Sequence, residues 1–229
     1  KPLVDVILDE AEQKGTGRWT AQNALELGVP LTGITEAVFA RVVSANRAMR
    51  LAFEKKTPHP APQTRKPEKA EIDAIRDALY ASKIIAYAQG FEQMSVASEQ
   101  FHWDLKLGEL ATIWRGGCII RARFLDRIKE AFDRDPKLAN LLFDDYFRDG
   151  VVRTEGAWRR VLGLAVASGV PTPAFSSSLA YYDGLRRARG PANLLQGLRD
   201  YFGAHTYRRL DRQGSFHTRW SQDGSEVKV

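Results

Sequence analysis

The sequence contains very little cysteine and no long hydrophobic run. Cys118 is the single cysteine among 229 residues. It excludes an internal disulfide and a zinc site built from cysteines, and it favours a reducing compartment. No apolar run reaches the roughly 18 residues of a membrane-spanning helix, and the first residues do not follow a signal-peptide pattern. We therefore expect a cytoplasmic protein without a membrane partner.

Signatures of metal binding and nucleophilic catalysis are also missing. The four histidines form no HExxH pair and no cluster with acidic residues at metal-ligand spacing. Ser176, Ser177 and Ser178 lack a GxSxG context, and no base is evident beside Cys118. We predict no metal site and assign no catalytic residue to these 229 residues.

The charge is mildly basic, with 34 Lys and Arg against 28 Asp and Glu, a net charge of +6. Nucleic acid, an acidic membrane surface or a phosphorylated metabolite would each suit this balance. A helical nucleic-acid-binding or scaffold protein is therefore one hypothesis. The basic residues are interleaved with acidic ones, however, rather than gathered on one face, which argues against a nucleic-acid partner.

Apolar residues recur at helical spacing almost everywhere, and strand signals are nearly absent. We predict an all-α, multi-helix domain built around a long buried helix at 70–101, in which neighbours approach over Ala78, Ala81, Ala88 and Gly90. The other predicted helices are 20–27, 32–54, 107–115, 119–133, 136–147, 154–168, 174–188 and 191–202.

The two ends of the chain and one internal stretch have different patterns. Residues 3–11 show apolar periodicity from the start, which predicts a helix entered partway along and a fragment of a longer protein. Residues 55–69 contain four prolines and predict a surface loop. Residues 204–229 lose periodicity but keep aromatic side chains, so we predict an extended tail that docks on a partner subunit, following a helical domain at 1–203.

The stretch KGTGRWT at 14–20 combines a basic residue with a glycine turn before a helix. The glycines permit close approach to backbone N–H groups, and the helix directs its positive end to the same place. Lys14 and the Thr16 hydroxyl add a charge and a donor, so the turn is suited to an anion the size of a phosphate. It is not a Walker loop, because the lysine precedes the glycines. A plain turn between helices is the alternative.

Two further basic positions stand out. Arg41 shares a helical stripe with Ile34, Val38 and Val42, which predicts a guanidinium on an apolar face that meets a ligand anion. The alternative is an internal salt bridge or a side chain that extends its charged end into water. A helix end at Gly203 would also bring Arg199 near His205.

Several blocks, in order, resemble the C-terminal part of decarboxylating 6-phosphogluconate dehydrogenase: KGTGRWTAQNALELGVP, ITEAVFAR, IRDALYASKIIAYAQGFEQM, IWRGGCIIRARFL, PANLLQGLRDYFGAHTYRRLD and FHTRW. The resemblance extends over essentially all 229 residues. It implies a helical domain that follows an N-terminal dinucleotide-binding domain absent from this chain, forms a homodimer and sends its tail into the partner.

The resemblance also implies ligands and site residues. The substrate would be 6-phosphogluconate, and the cofactor NADP would be bound mainly by the missing domain, which would also hold the catalytic lysine and glutamate. The residues implied in substrate binding are Lys14, Thr16 and Arg41 on the phosphate, with Arg199 and His205 reaching the site of the other subunit. The family usually has lysine where this chain has Arg18, so Arg18 is not assigned to the site.

Overall fold

Nine α-helices and a small sheet make up most of residues 1–57 and 66–229, the ranges that this computed structural model describes. The helices are α1 (Thr16–Leu27), α2 (Thr32–Ala45), α3 (Arg47–Glu54), α4 (Lys69–Gln100), α5 (Leu107–Ile113), α6 (Leu125–Arg134), α7 (Asp145–Ala167), α8 (Pro173–Leu185) and α9 (Ala192–Gly203). Most of the predicted proline loop, with His59, lies outside the described residues.

The predicted helical architecture is confirmed, with one addition in the tail. Strands β1 (Tyr207–Arg208), β2 (Ser215–Thr218) and β3 (Glu226–Lys228) form an antiparallel sheet in the order β1-β2-β3. The chain divides into two compact units, Lys1–Tyr182 and Asp183–Val229, so α9 groups with the tail strands. In the described ranges, no helix has an apolar stretch long enough to cross a membrane.

The long helix α4 forms the centre of the first unit, as its composition predicts. Ala78, Ala81 and Ala88 are fully buried, because small side chains let neighbouring helices approach α4 closely. Gly90 is different: a Cβ added there would meet no atom within 4 Å. The prediction that Gly90 marks a close contact is therefore wrong.

Helix α7 packs along α4 and begins earlier than the sequence indicated. The predicted helices 136–147 and 154–168 leave a gap that contains Asp149 and Gly150, yet α7 runs through it. A Cβ on Gly150 would lie 3.3 Å from Tyr80 and from Ile84, so the glycine permits close helix packing here. The side chain of Asp144 accepts from Tyr146 N–H at 3.1 Å and fixes the start of α7. The predicted helix 136–147 is therefore replaced by a 3₁₀ turn, Leu141–Phe143, and this cap.

Other predicted helices are interrupted or shortened. The segment 32–54 breaks at Asn46, whose side chain accepts from Met49 N–H at 3.4 Å and caps α3. Residues 119–124 are not helical, and α6 begins only at Leu125. The predicted helix at residues 3–11 is wrong as well, because these residues form only the 3₁₀ turn Leu3–Val6, and no described element covers their apolar side chains.

Two glutamines of α4 hold α1 and α2 in place. Gln89, which is fully buried, accepts from the Gly33 N–H at 3.1 Å and donates to Thr32 Oγ1 at 2.9 Å. One turn later, Gln93 donates to Thr20 O at 3.0 Å and Asn23 Oδ1 at 2.8 Å. The helices that carry the predicted phosphate-binding residues are thus fixed to the core by named hydrogen bonds.

Candidate functional site

The glycine turn before α1 contains a residue in a left-handed conformation. Gly15 adopts φ 105°, a conformation that side chains disfavour, and it is the N-cap of α1. Its carbonyl accepts the Trp19 N–H at 2.9 Å, which starts the helix. Lys14 and Thr16 are both exposed on this turn. A Cβ on Gly15 would also lie 3.6 Å from Arg18 Nη2, so the Arg18 guanidinium folds back over the turn.

The N-terminus of α1 is not neutralised by the described part of the chain. No side chain caps it, and its first turn contains no acidic residue. The N–H groups of the first helical residues have no partner within the helix, and they carry the positive end of the helix dipole. Together with Lys14 and Arg18, they form a positively charged surface that suits a phosphate.

Gly17 joins this turn to α2. A Cβ on Gly17 would lie 2.8 Å from Val38 Cγ2, so the absence of a side chain is what allows α1 to rest on α2. Arg41 follows Val38 by three residues and therefore lies on the same side of α2. The contact between Gly17 and Val38 therefore brings the glycine turn next to the helix that carries Arg41.

Arg41 is exposed, and its helix stripe is only partly covered. Ile34 and Val38 are half-buried, whereas the side chain of Val42 is 51% exposed. Among residues 1–57 and 66–229, no carboxylate lies within ion-pair distance of Arg41. The alternative of an internal salt bridge is therefore unsupported in the described structure, and the guanidinium is available for a ligand.

We expect Gly17→Ala to loosen the contact between α1 and α2. The added methyl overlaps Val38, and overpacking of this kind lowers the free energy of unfolding by about 1–3 kcal/mol. The double variant with Val38→Ala should recover part of this loss, because the overlapping methyl is removed. Urea unfolding of the two single variants and the double variant gives the coupling energy. Gly163→Ala in α7 is the control, because a Cβ on Gly163 would meet no atom within 4 Å. If the effects of Gly17→Ala and Val38→Ala on the free energy of unfolding simply add in the double variant, the contact between the two residues is contradicted.

The second unit contains Arg199 and His205. Arg199 lies on α9, is exposed and donates to Gln196 Oε1 at 3.1 Å. His205 is exposed in the loop after α9, between Ala204 at φ 51° and Thr206 at φ 62°. Two left-handed residues on either side of a single position are uncommon outside glycine, so the loop must be held by other contacts.

Asp200, which the sequence analysis did not single out, supplies those contacts. Its side chain is fully buried and accepts from Thr206 N–H and Thr218 N–H, both at 3.0 Å, and from Trp220 Nε1–H at 2.8 Å. His217 Nδ1 lies 3.0 Å from the same carboxylate. Burial alone would raise the pKa of Asp200, but these four hydrogen bonds outweigh it and lower the pKa to about 2.

This lowered pKa predicts an acid-sensitive second unit. Because the folded pKa lies below the unfolded value, the stabilisation by Asp200 is complete above about pH 4 and is lost as pH falls through about 2. The lowered pKa values of Asp211 and Glu226 add to the same trend. Urea unfolding between pH 6 and pH 2, followed by the Trp220 indole N–H resonance, should show a shallower pH dependence for Asp200→Asn than for the native chain. Equal slopes would contradict the assignment to Asp200.

Comparison with known proteins gives consistent matches along the chain. The family model of the 6-phosphogluconate dehydrogenase C-terminal domain matches residues 1–220. The NADP(+)-dependent, decarboxylating 6-phosphogluconate dehydrogenase of Bacillus subtilis (strain 168) is 60% identical over 222 residues, and a Staphylococcus epidermidis decarboxylating 6-phosphogluconate dehydrogenase is 55% identical over 221. Each match covers 96% of this chain and 47% of the relative.

A solved structure has the same fold. Plasmodium falciparum 6-phosphogluconate dehydrogenase, determined in its apo form and in complex with its cofactor NADP+ and with its substrate 6-phosphogluconate, superposes with a TM-score of 0.89 at 42% identity. The match covers 95% of this chain and 47% of that one. The chain therefore spans about half the length of the relatives it matches.

Proposed function

Because the chain belongs to the 6-phosphogluconate dehydrogenase family through its C-terminal domain, we propose that it anchors 6-phosphogluconate for oxidative decarboxylation to ribulose 5-phosphate with reduction of NADP. Lys14, Thr16 and Arg41 hold the phosphate group, and Arg199 and His205 approach the site of a second subunit. The catalytic lysine and glutamate of the family are proposed to lie in the half of the relatives outside the match, so we expect this chain to be inactive alone.

The observation that carries this proposal is the uncapped glycine turn of α1 resting on α2. Backbone N–H groups, the Lys14 ammonium and the Thr16 hydroxyl are donors at the turn, and Arg41 lies three residues after Val38, which the turn contacts through Gly17. A phosphate accepts several hydrogen bonds at once, and arginine binds it with two parallel bonds. The arrangement is therefore suited to a phosphorylated substrate.

NADP binding is proposed for the half of the relatives that lies outside the match. A dinucleotide is bound where a parallel strand leads through a glycine-rich turn into a helix. In residues 1–57 and 66–229 the strands are β1, β2 and β3, which are antiparallel, and the turn at Gly15 follows no strand. These residues do not fit the cofactor, and no reaction step is assigned to it here.

The proposed partner of the chain is a second copy of itself. Exposed apolar side chains are frequent on α9 and in the tail, where Leu194, Phe202 and Leu210 are 67%, 81% and 96% exposed. Patches of this kind mark interaction surfaces in soluble proteins. Sedimentation equilibrium measures the association, and a monomer at micromolar concentration would contradict the dimer. The division into a helical domain at 1–203 and a docking tail at 204–229, and the cytoplasmic location, stay predictions.

The proposal is tested with a chimeric enzyme that adds the half of a relative lying outside the match. The part of the Bacillus subtilis relative that precedes the matched region is joined to this chain, and NADP reduction is followed with 6-phosphogluconate as substrate. We expect turnover by the chimera and none by the 229-residue chain. A folded, NADP-binding chimera that does not oxidise 6-phosphogluconate would contradict the proposed function.

The site assignments are tested in the same chimera. Substitution of Lys14, Thr16, Arg199 or His205 by alanine should raise the KM for 6-phosphogluconate and leave the Kd for NADP unchanged. Arg160→Ala is a matched control, because Arg160 is an exposed helical arginine with no ion pair among the described residues. An unchanged KM removes the substituted residue from the site.

A further inference from the structure

Asp200 is unusual because a buried carboxylate lies in the last turn of a helix. The C-terminus of a helix carries partial negative charge, so an acidic residue in this position is disfavoured unless other groups compensate it. No lysine or arginine pairs with Asp200 in the described structure. Backbone and side-chain donors surround it instead, which indicates a position built around the carboxylate.

The donors come from segments on both sides of the sheet hairpin. Thr206 immediately follows His205, whereas His217 and Thr218 belong to β2, and Trp220 follows it. One carboxylate therefore connects the end of α9, the loop 204–206 and strand β2. If these bonds are lost, nothing else in the described structure holds the Thr206 N–H, and the left-handed residues relax towards ordinary conformations.

We propose that Asp200 is a positioning residue for substrate binding, which sets the orientation of His205 through the loop 204–206 and that of Arg199 through α9. The inference rests on the proposed function, in which Arg199 and His205 contact 6-phosphogluconate. Asp200 is buried and Arg199 is exposed. Adjacent residues on a helix point about 100° apart, so anchoring Asp200 inward fixes the direction of Arg199. Asp200 itself does not contact the substrate.

The test uses Asp200→Asn in the chimera. The asparagine side chain has the same shape as that of aspartate, but its NH₂ group would face one of the hydrogen-bond donors and cannot accept from it. We expect the KM for 6-phosphogluconate to rise about tenfold while kcat changes less than twofold, since one charged contact is misplaced. Amide hydrogen exchange of Thr206 should accelerate at least tenfold. Trp220→Phe removes one donor and leaves the carboxylate in place, so we expect a smaller rise in KM, of about threefold. This variant tests the proposal if Asp200→Asn does not fold.

The control separates positioning from stability. Tyr207→Phe removes hydrogen bonds to Thr218 Oγ1 and Glu226 Oε1 in the same sheet and leaves every donor to Asp200 in place. It should lower the unfolding free energy without raising KM. If Asp200→Asn keeps the native KM while His205→Ala raises it, the positioning role is overturned and the proposed function is not. The same holds if Tyr207→Phe raises the KM as much as Asp200→Asn does. A native KM in both His205→Ala and Arg199→Ala instead overturns their assignment under the proposed function.

Discussion

Arg41→Ala should raise the KM for 6-phosphogluconate about 100-fold in the chimeric enzyme. The guanidinium is exposed on α2, unpaired among the described residues and on the side of the helix that the glycine turn contacts through Val38. Hydrogen bonds to a charged group contribute about 1.5–3 kcal/mol each, and 1.4 kcal/mol corresponds to a factor of ten. Loss of a two-bond contact to phosphate therefore accounts for a change of this size.

The Arg41 effect can be distinguished from a general loss of charge. Arg41→Lys keeps the charge but loses the planar two-bond geometry, so its KM should rise by only about tenfold. Substrate analogues without the phosphate should bind the native and Arg41→Ala proteins equally, as measured by inhibition constants. A phosphate-free analogue that loses affinity as strongly as 6-phosphogluconate would show that Arg41 binds a different part of the ligand.

The helices with a strong apolar pattern were predictable, and their ends were less so. Helix α4 was predicted within one residue at each end, because a segment buried on most sides has few alternatives. Asn46 and Asp144 interrupted predicted helices by capping new ones, which is local hydrogen bonding that apolar periodicity does not report. Gly150 lies between two predicted helices, although in the structure it belongs to α7 and permits a close helix contact.

The site was predictable where it is local in sequence and unpredictable where it depends on distant segments. The proposed phosphate-binding turn Lys14–Gly17 consists of consecutive residues, and Gly15 has the positive φ that its glycine pattern allows. Asp200 was missed because its donors lie up to 20 residues away, in and beside strands that are too short to show alternation. One signal was present: an acidic residue in the last turn of a helix requires compensation, and polar and aromatic residues follow in FHTRW.

Gln89→Leu should destabilise the first unit by about 2–4 kcal/mol. Leucine has a similar volume but leaves the Gly33 N–H without its acceptor and the Thr32 hydroxyl without its donor, and Gly33 is buried at the start of α2. An unsatisfied buried polar group costs about 1–3 kcal/mol. Urea unfolding should show a lower midpoint with an unchanged m-value, because the surface exposed on unfolding stays the same.

Gln93→Leu is the matched control, because it is the same substitution one turn further along α4. Its partners are the Thr20 carbonyl and the Asn23 side chain, and because both residues are half-buried, unlike the buried Gly33, they can bond to water after the substitution. We expect a loss of about 1 kcal/mol. Since Arg41 lies on α2, Gln89→Leu should also raise the KM for 6-phosphogluconate more than Gln93→Leu does. Equal losses from the two variants would show that α2 is held by its apolar contacts and not by the Gln89 hydrogen bonds.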